Sequence, residues 1–274
     1  MAKTKRLIKE NISKIDIVYE LVDARVPISS KIAGIDDLIN NKPKILIMTK
    51  SDLCDVSITS KYVKYYESIG YKVLLINLKN NNDYKKIIKA TNELMASLQE
   101  KRVEKGLKTK EIKALVLGIP NVGKSTLINA LALRKATKVG NKPGITKDIS
   151  WLKTNSNILL LDTPGILWPK FDDEKIFLNL CSIGTIKEDV LDEYEVARHI
   201  LTILATYYPH ILSDRYNINN VNPEDINELY DMIGKNKNLL SKGSEVDYDR
   251  VSKFIINDIR QGYIKGITFD RSDI

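Results

Sequence analysis

The sequence predicts an α/β domain with a doubly wound, mostly parallel sheet over residues 1–170, followed by an all-α domain over residues 171–274. Three observations carry that expectation. Short apolar runs at residues 44–48 (KILIM), 73–76 (VLLI), 112–117 (IKALVL) and 158–161 (ILLL) have the length and composition of buried strands. The loops that leave them carry Lys, Asn, Asp and Gly, and a parallel sheet gathers its ligand-binding loops at the carboxyl ends of its strands. Beyond residue 170 the texture changes. Residues 174–187, 193–207, 223–233 and 246–260 repeat apolar positions at helical spacing, with breaks at Pro209, Pro223, Gly234 and Gly243.

The run at 112–117 leads into the most specific motif of the chain, Gly118-Ile119-Pro120-Asn121-Val122-Gly123-Lys124-Ser125. The spacing GxxxxGK[ST] folds as strand, tight loop and helix, so that consecutive backbone N–H groups and the positive helix end surround phosphate oxygens. Residues 125–133 (STLINALAL) supply the helical spacing. Gly118 and Gly123 permit the turn, Lys124 bridges β- and γ-phosphates, and the Ser125 hydroxyl is a magnesium ligand. Asn121, Val122, Gly123, Lys124, Ser125 and Thr126 are thus the candidate phosphate contacts.

Asp162 ends the run at 158–161 and opens Asp162-Thr163-Pro164-Gly165, where the acid holds magnesium and Gly165 offers its N–H to the γ-phosphate. Between the two motifs lies Pro143-Gly144-Ile145-Thr146, with Thr146 the candidate for a second hydroxyl on magnesium; a plain surface turn accounts for that tetrapeptide taken alone. Lys124, Thr146 and Gly165 are the residues expected to act on the reacting phosphate.

Base recognition is assigned to Thr49-Lys50-Ser51-Asp52, which follows the run at 44–48. The Lys50 stem can cover a purine face, and the Asp52 carboxylate can accept from guanine N1–H and the 2-amino group. Adenine lacks that donor pair, so Asp52 selects GTP over ATP. Asn77 and Leu78, at the end of the run at 73–76, fall where the backbone of a base-binding loop is expected.

The order of these parts is rotated. An ordinary GTPase carries its phosphate loop first and its base-reading motif last, whereas here the base motif comes first. Loops distant in sequence meet at one edge of a parallel sheet, so the rotation leaves a site intact if the former ends are joined. The expected join is residues 83–113, a helix with apolar Ile87, Ile88, Leu94, Met95 and Leu98 and then a basic stretch. The fold class is therefore a circularly permuted P-loop GTPase domain followed by an all-α C-terminal domain.

Residues 15–27 (IDIVYELVDARVP), 118–129 (GIPNVGKSTLIN), 143–146 and 161–171 (LDTPGILWPKF) together resemble the circularly permuted GTPases of the ribosome biogenesis GTPase A type. The resemblance runs along essentially the whole chain and implies GTP hydrolysis that promotes a late step of large (50S) ribosomal subunit assembly. It implies binding to ribosomal RNA or a pre-ribosomal particle in the GTP state, partly through the helical domain. Asp23-Ala24-Arg25 would be the family's DAR element; by itself it is an unremarkable strand-end turn. Family members carry an aromatic-Pro-Gly-His segment ahead of the Met-Ala-Lys with which this sequence opens. Ile166 stands where Ras-like enzymes place a water-orienting Gln, so slow intrinsic turnover is expected. In similar enzymes the residue matching Asn121 helps hold potassium, which implies stimulation by potassium and by ribosomal particles.

Composition agrees. No apolar run reaches membrane-spanning length and the basic start has no apolar sequel, so a cytoplasmic, non-membrane protein, a monomer, is expected. Cys54 and Cys181 are expected to be reduced structural residues, and His199 and His210 to be satisfied rather than catalytic. Net charge is +8, but it is uneven: residues 171–274 hold 12 Lys+Arg against 19 Asp+Glu, leaving 31 against 16 for residues 1–170. Long-range attraction to RNA phosphate is therefore expected mostly from the first domain. In the second, Arg250, Lys253, Asn257 and Arg260 share one helix face and are candidate RNA contacts, a pattern that a solvated stripe also explains. A GTP-dependent RNA-binding module without catalysis, or a P-loop ATPase or kinase, are the alternatives to an assembly GTPase.

Overall fold

Six strands form one sheet in the order β3-β2-β1-β4-β6-β5: β1 (Ile17–Asp23), β2 (Lys44–Thr49), β3 (Lys72–Leu75), β4 (Ile112–Gly118), β5 (Trp151–Lys153) and β6 (Ile158–Asp162). The computed structural model describes residues 2–39, 42–80, 82–132, 151–162, 173–186, 192–219 and 221–271. Every pairing is parallel except that of β5 with β6, which adds an antiparallel edge. All of β1 is buried, Glu20 and Asp23 included, as suits a central strand of a parallel sheet. The chain divides into two units, one of Met1–Ser51 and Val56–Lys170 and one of Phe171–Arg271 with the short segment Asp52–Asp55.

In the first unit the helices are α1 (Ala2–Asn11), α2 (Ile35–Ile39), α3 (Val56–Ser68), α4 (Asp83–Glu104) and α5 (Lys124–Leu131). The join expected at residues 83–113 is α4 and the strap that follows it. Gln99 clamps that strap by donating to the Lys110 carbonyl at 2.8 Å and accepting from its N–H at 3.1 Å, while Lys110 Nζ meets Asp16 at 2.5 Å. The strap is thereby fixed at the start of β4. The phosphate-loop helix ends at Leu131 because Ala132 turns extended, at φ −67° and ψ 144°, and bridges to Thr154.

The second unit is helical: α6 (Glu174–Ser182), α7 (Glu193–Tyr207), α8 (Pro209–Tyr216), α9 (Ile226–Asn236) and α10 (Tyr248–Arg260). Asp173, Asp192, Asp225 and Asp247 cap α6, α7, α9 and α10, each carboxylate accepting backbone N–H bonds from the first turn. The caps correct three expected boundaries. The expected 223–233 begins only at Ile226 and the expected 246–260 only at Tyr248, because the capping Asp must itself lie outside the helix. The expected 174–187 stops at Ser182. There Gly184 takes φ +77°, and the Gly184 and Thr185 N–H groups bond back to the carbonyls of Cys181 and Leu180. The break expected at Pro209 falls between α7 and α8, and Pro209 itself opens α8, where a missing N–H costs nothing; the break expected at Gly234 is absent, because α9 runs through it to Asn236.

Candidate functional site

The phosphate loop leaves β4 at Gly118. A Cβ there would lie 2.8 Å from Val122 Cγ1 and 2.9 Å from the Leu21 carbonyl oxygen of β1, so only glycine fits the crossing. Asn121 at φ +59° and Gly123 at φ +107° carry the chain through left-handed turns into α5. The Lys124 side chain folds back into the loop, donating to the carbonyls of Gly118 at 2.9 Å and Ile119 at 2.8 Å. This fixes its ammonium at the mouth formed by the helix N-terminus, where a phosphate is bound by N–H groups and by the helix dipole. Ser125 and Thr126 are exposed in the first turn of α5.

The base-reading loop is tied to that phosphate loop. Thr49, fully buried at the end of β2, donates its hydroxyl to the Val122 carbonyl at 2.6 Å and lies 3.2 Å from the Val22 carbonyl. Ser51 N–H reaches the Ile76 carbonyl at 3.2 Å, joining the loop after β2 to the loop after β3. In the latter, Asn77 donates its N–H to Asp83 at 2.8 Å and accepts from Lys79 N–H at 2.9 Å. Leu78 Cδ1 is the nearest atom to the space above Gly123, 3.1 Å from where a Cβ would stand. Thr49, Asn77, Leu78, Val122, Gly123 and Lys124 are thus gathered at the carboxyl ends of β2, β3 and β4. Asp52 is exposed and opens the segment Asp52–Asp55.

Lys50 shows a feature not foreseen. Its backbone is left-handed, at φ +58°, a conformation that costs a non-glycine residue about 1–2 kcal/mol. Its Nζ lies 2.9 Å from Asp23 Oδ2. Asp23 is fully buried at the end of β1 and also accepts from Arg25, through Nε at 3.0 Å, Nη2 at 2.9 Å and the backbone N–H at 3.0 Å. Burial alone would raise the Asp23 carboxyl; the Arg25 and Lys50 cations instead hold it well below the usual carboxylate range. The DAR turn, with nothing in its own sequence to distinguish it, is an ion-pair centre that holds Lys50.

Val116 of β4 is in register with Asp162 of β6, so the strand bearing the phosphate loop and the strand ending at Asp162 are neighbours. Ser125, exposed in the first turn of α5, offers a hydroxyl, a hard oxygen donor of the kind magnesium takes. Thr146, Gly165 and Ile166 lie outside the described residues, as does the remainder of the Pro143–Thr146 and Thr163–Gly165 motifs. In the second unit Arg250, Lys253, Asn257 and Arg260 line a surface groove of about 550 Å³. Each cation already has a partner there: Arg250 the Leu240 carbonyl, Lys253 Glu193 at 3.7 Å, and Arg260 the Cys181 carbonyl. His199 Nε2 donates to Asn179 Oδ1, 2.8 Å away, and its ring stacks on Phe269, while Cys54 and Cys181 are buried and form no disulfide.

A family model described as 50S ribosome-binding GTPase matches residues 113–241. Ribosome biogenesis GTPase A of Bacillus cereus is 42% identical over 270 residues, covering 98% of this chain and 91% of its own length. Its counterpart from Priestia megaterium is 43% identical over 271 residues, covering 98% and 94%. The chain belongs to the ribosome biogenesis GTPase A family. It is therefore a GTPase, built to bind GTP with a divalent metal, and the permuted order of its motifs is the order of its family. Two solved structures share the fold: GNP-bound YlqF from T. maritima, with a TM-score of 0.68 at 24% identity over 99% of this chain and 100% of the other, and GDP-bound TM YlqF, with 0.69 at 22% over 97% and 99%.

Among the described residues no helix is long and apolar enough to cross a membrane. Within this GTPase the chemistry divides by strand. The loop after β4 turns its backbone into the N-terminus of α5 with Lys124 folded over it, and the loops after β2 and β3 are bonded to each other and, through Thr49, to that loop. A nucleotide bound across both is oriented at each end, so its terminal phosphate is presented in one geometry.

Proposed function

We propose that this GTPase acts in the assembly of the large ribosomal subunit, binding the ribosomal RNA of a precursor particle in its GTP form and leaving after hydrolysis. The observation that carries the reading is the 2.6 Å bond from Thr49 to the Val122 carbonyl. It ties the loop after β2 to the phosphate loop, which supports reading motifs that the sequence holds in rotated order as parts of one nucleotide site. Asp52 reads guanine; Lys124, with Thr146 and Gly165, meets the γ-phosphate; Ser125, Thr146 and Asp162 hold magnesium. Asn121 helps hold a potassium ion that supplies positive charge during hydrolysis, and the protein works as a cytoplasmic monomer. Arg250, Lys253 and Arg260 are the RNA contacts of the second unit, supported by their shared groove, while the basic surplus of the first unit supplies long-range attraction.

The decisive experiment measures hydrolysis and particle binding together. GTP turnover should rise with large-subunit precursor particles and be faster in potassium than in sodium, and the particles should retain the protein with a non-hydrolysable GTP analogue but not with GDP. Retention that ignores the nucleotide would overturn the assembly cycle, and equal turnover in both salts would remove the potassium. Asp52→Asn should trade GTP for xanthosine triphosphate; a variant that keeps its preference for GTP would overturn the base assignment.

A further inference from the structure

The base-reading Lys50 is unusual in both backbone and head group. Its φ of +58° turns the side chain out of the path that β2 would give it, and its ammonium ends 2.9 Å from Asp23 Oδ2. Asp23 could not be better anchored. It is fully buried, stands in register with Thr49 across the β1–β2 pair, and is held by a two-toothed bond from Arg25, itself 1% exposed. The turn that bears Arg25 is fastened in turn: Ala24 N–H bonds to the Thr49 carbonyl at 2.9 Å, and Thr59 of α3 donates to the Ala24 carbonyl at 2.9 Å. Two cations share one carboxylate, so the centre keeps a positive charge while the Lys50 head has a fixed address. The Lys50 side chain remains partly open to solvent, at 28%.

We propose that Asp23, locked by Arg25, is a positioning residue for guanine-nucleotide binding: it pins the Lys50 ammonium so that the lysine stem stands as a preformed platform for the flat face of the base. A free lysine loses much rotational freedom when a ligand settles on it; a pinned one has lost it already. The proposal rests on the reading of Lys50 and Asp52 as the base-binding pair. It assigns to the DAR turn a part in affinity for the nucleoside end of the ligand, with none in the grip on phosphate, which belongs to Lys124 and the loop after β4.

The test compares two ligands on the whole protein: GDP, which uses both ends of the site, and inorganic tripolyphosphate, which uses the phosphate loop alone. Asp23→Asn should weaken GDP at least tenfold, mostly through faster release, and leave tripolyphosphate within twofold. Lys50→Met, which keeps a stem and removes the head, should lose GDP affinity by a similar factor, and the double variant should be no weaker than the worse single one. Equal losses for both ligands, or losses that multiply in the double variant, would overturn the proposal. Should Asp23→Asn not fold, Lys50→Met decides: unchanged GDP affinity overturns the proposal, and a loss confined to GDP supports it. Asp52→Asn separates the premises. If it gains xanthosine diphosphate while Asp23→Asn keeps full GDP affinity, only the positioning role falls; if it gains nothing, the base reading falls first.

Discussion

In the first unit Asp23, Arg25, Thr49 and Lys124 are buried at the carboxyl ends of β1, β2 and β4, bonded to one another or to backbone carbonyls of the loops that meet the nucleotide. In the second unit the buried polar groups sit between helices. Asp258 of α10 accepts from Arg215 at 2.6 and 2.9 Å and from Tyr216 at 3.0 Å, both on α8; Tyr230 of α9 bonds Ser252 of α10; Asn179 of α6 joins His199 of α7 to Asp270. A parallel sheet collects its strand ends on one edge, where polar side chains converge on a ligand. A helical bundle has no such edge, so its buried polar groups become pins that fix helix register. The buried polar groups at the strand ends of the first unit therefore tie loops to one another, while those of the second tie helix to helix.

Three substitutions can break or sharpen that contrast. The largest effect is expected from Gly118→Ala, whose Cβ would press on Val122 and on the Leu21 carbonyl, both within the packed strand edge. GTP affinity should fall at least 100-fold, about 3 kcal/mol; ordinary affinity in an equilibrium titration would refute the close-crossing argument. Asp258→Ala leaves Arg215 and Tyr216 without their shared acceptor and should cost about 1–3 kcal/mol in urea unfolding. GTP affinity below the unfolding range should stay within twofold, and a large loss there would erase the distinction between pins and site.

The smallest effect concerns His199, whose pKa is pushed down to about 4, first by burial and then by Lys175. The unfolded chain takes the proton at its ordinary value near 6.5 while the folded chain refuses it. Stability from the neutral ring is complete above pH 6.5 and is lost as pH falls toward 4, by no more than about 3 kcal/mol. His199→Gln should flatten unfolding free energy across that window, and an unchanged slope would remove His199 as its source.

The strands at residues 44–49, 72–75, 112–118 and 158–162 were legible because apolar runs in a buried parallel sheet need no partner information to be recognised. β5 was not, since Trp151–Lys153 is a three-residue edge that exists only by pairing with β6. α8 was hidden by Pro209, which reads as a breaker until its position at the helix start is known. At the site, the phosphate loop and base loop follow from fixed spacings, but the pairing of Asp23 with Lys50 does not. Charged residues at strand ends are common, and only the register of β1 on β2 brings these two together.

The place of β1 in the middle of the sheet has a consequence for how the chain is made. During synthesis β1, β2 and β3 emerge first and can pair in that order, leaving the far side of β1 an open row of backbone donors and acceptors until β4 emerges. An apolar strand exposed in this way is a template for unwanted pairing with other chains, and α4 and its strap must be translated before it is covered. The newborn chain thus holds the loops after β2 and β3 before the phosphate-loop motif that ends β4 has been made.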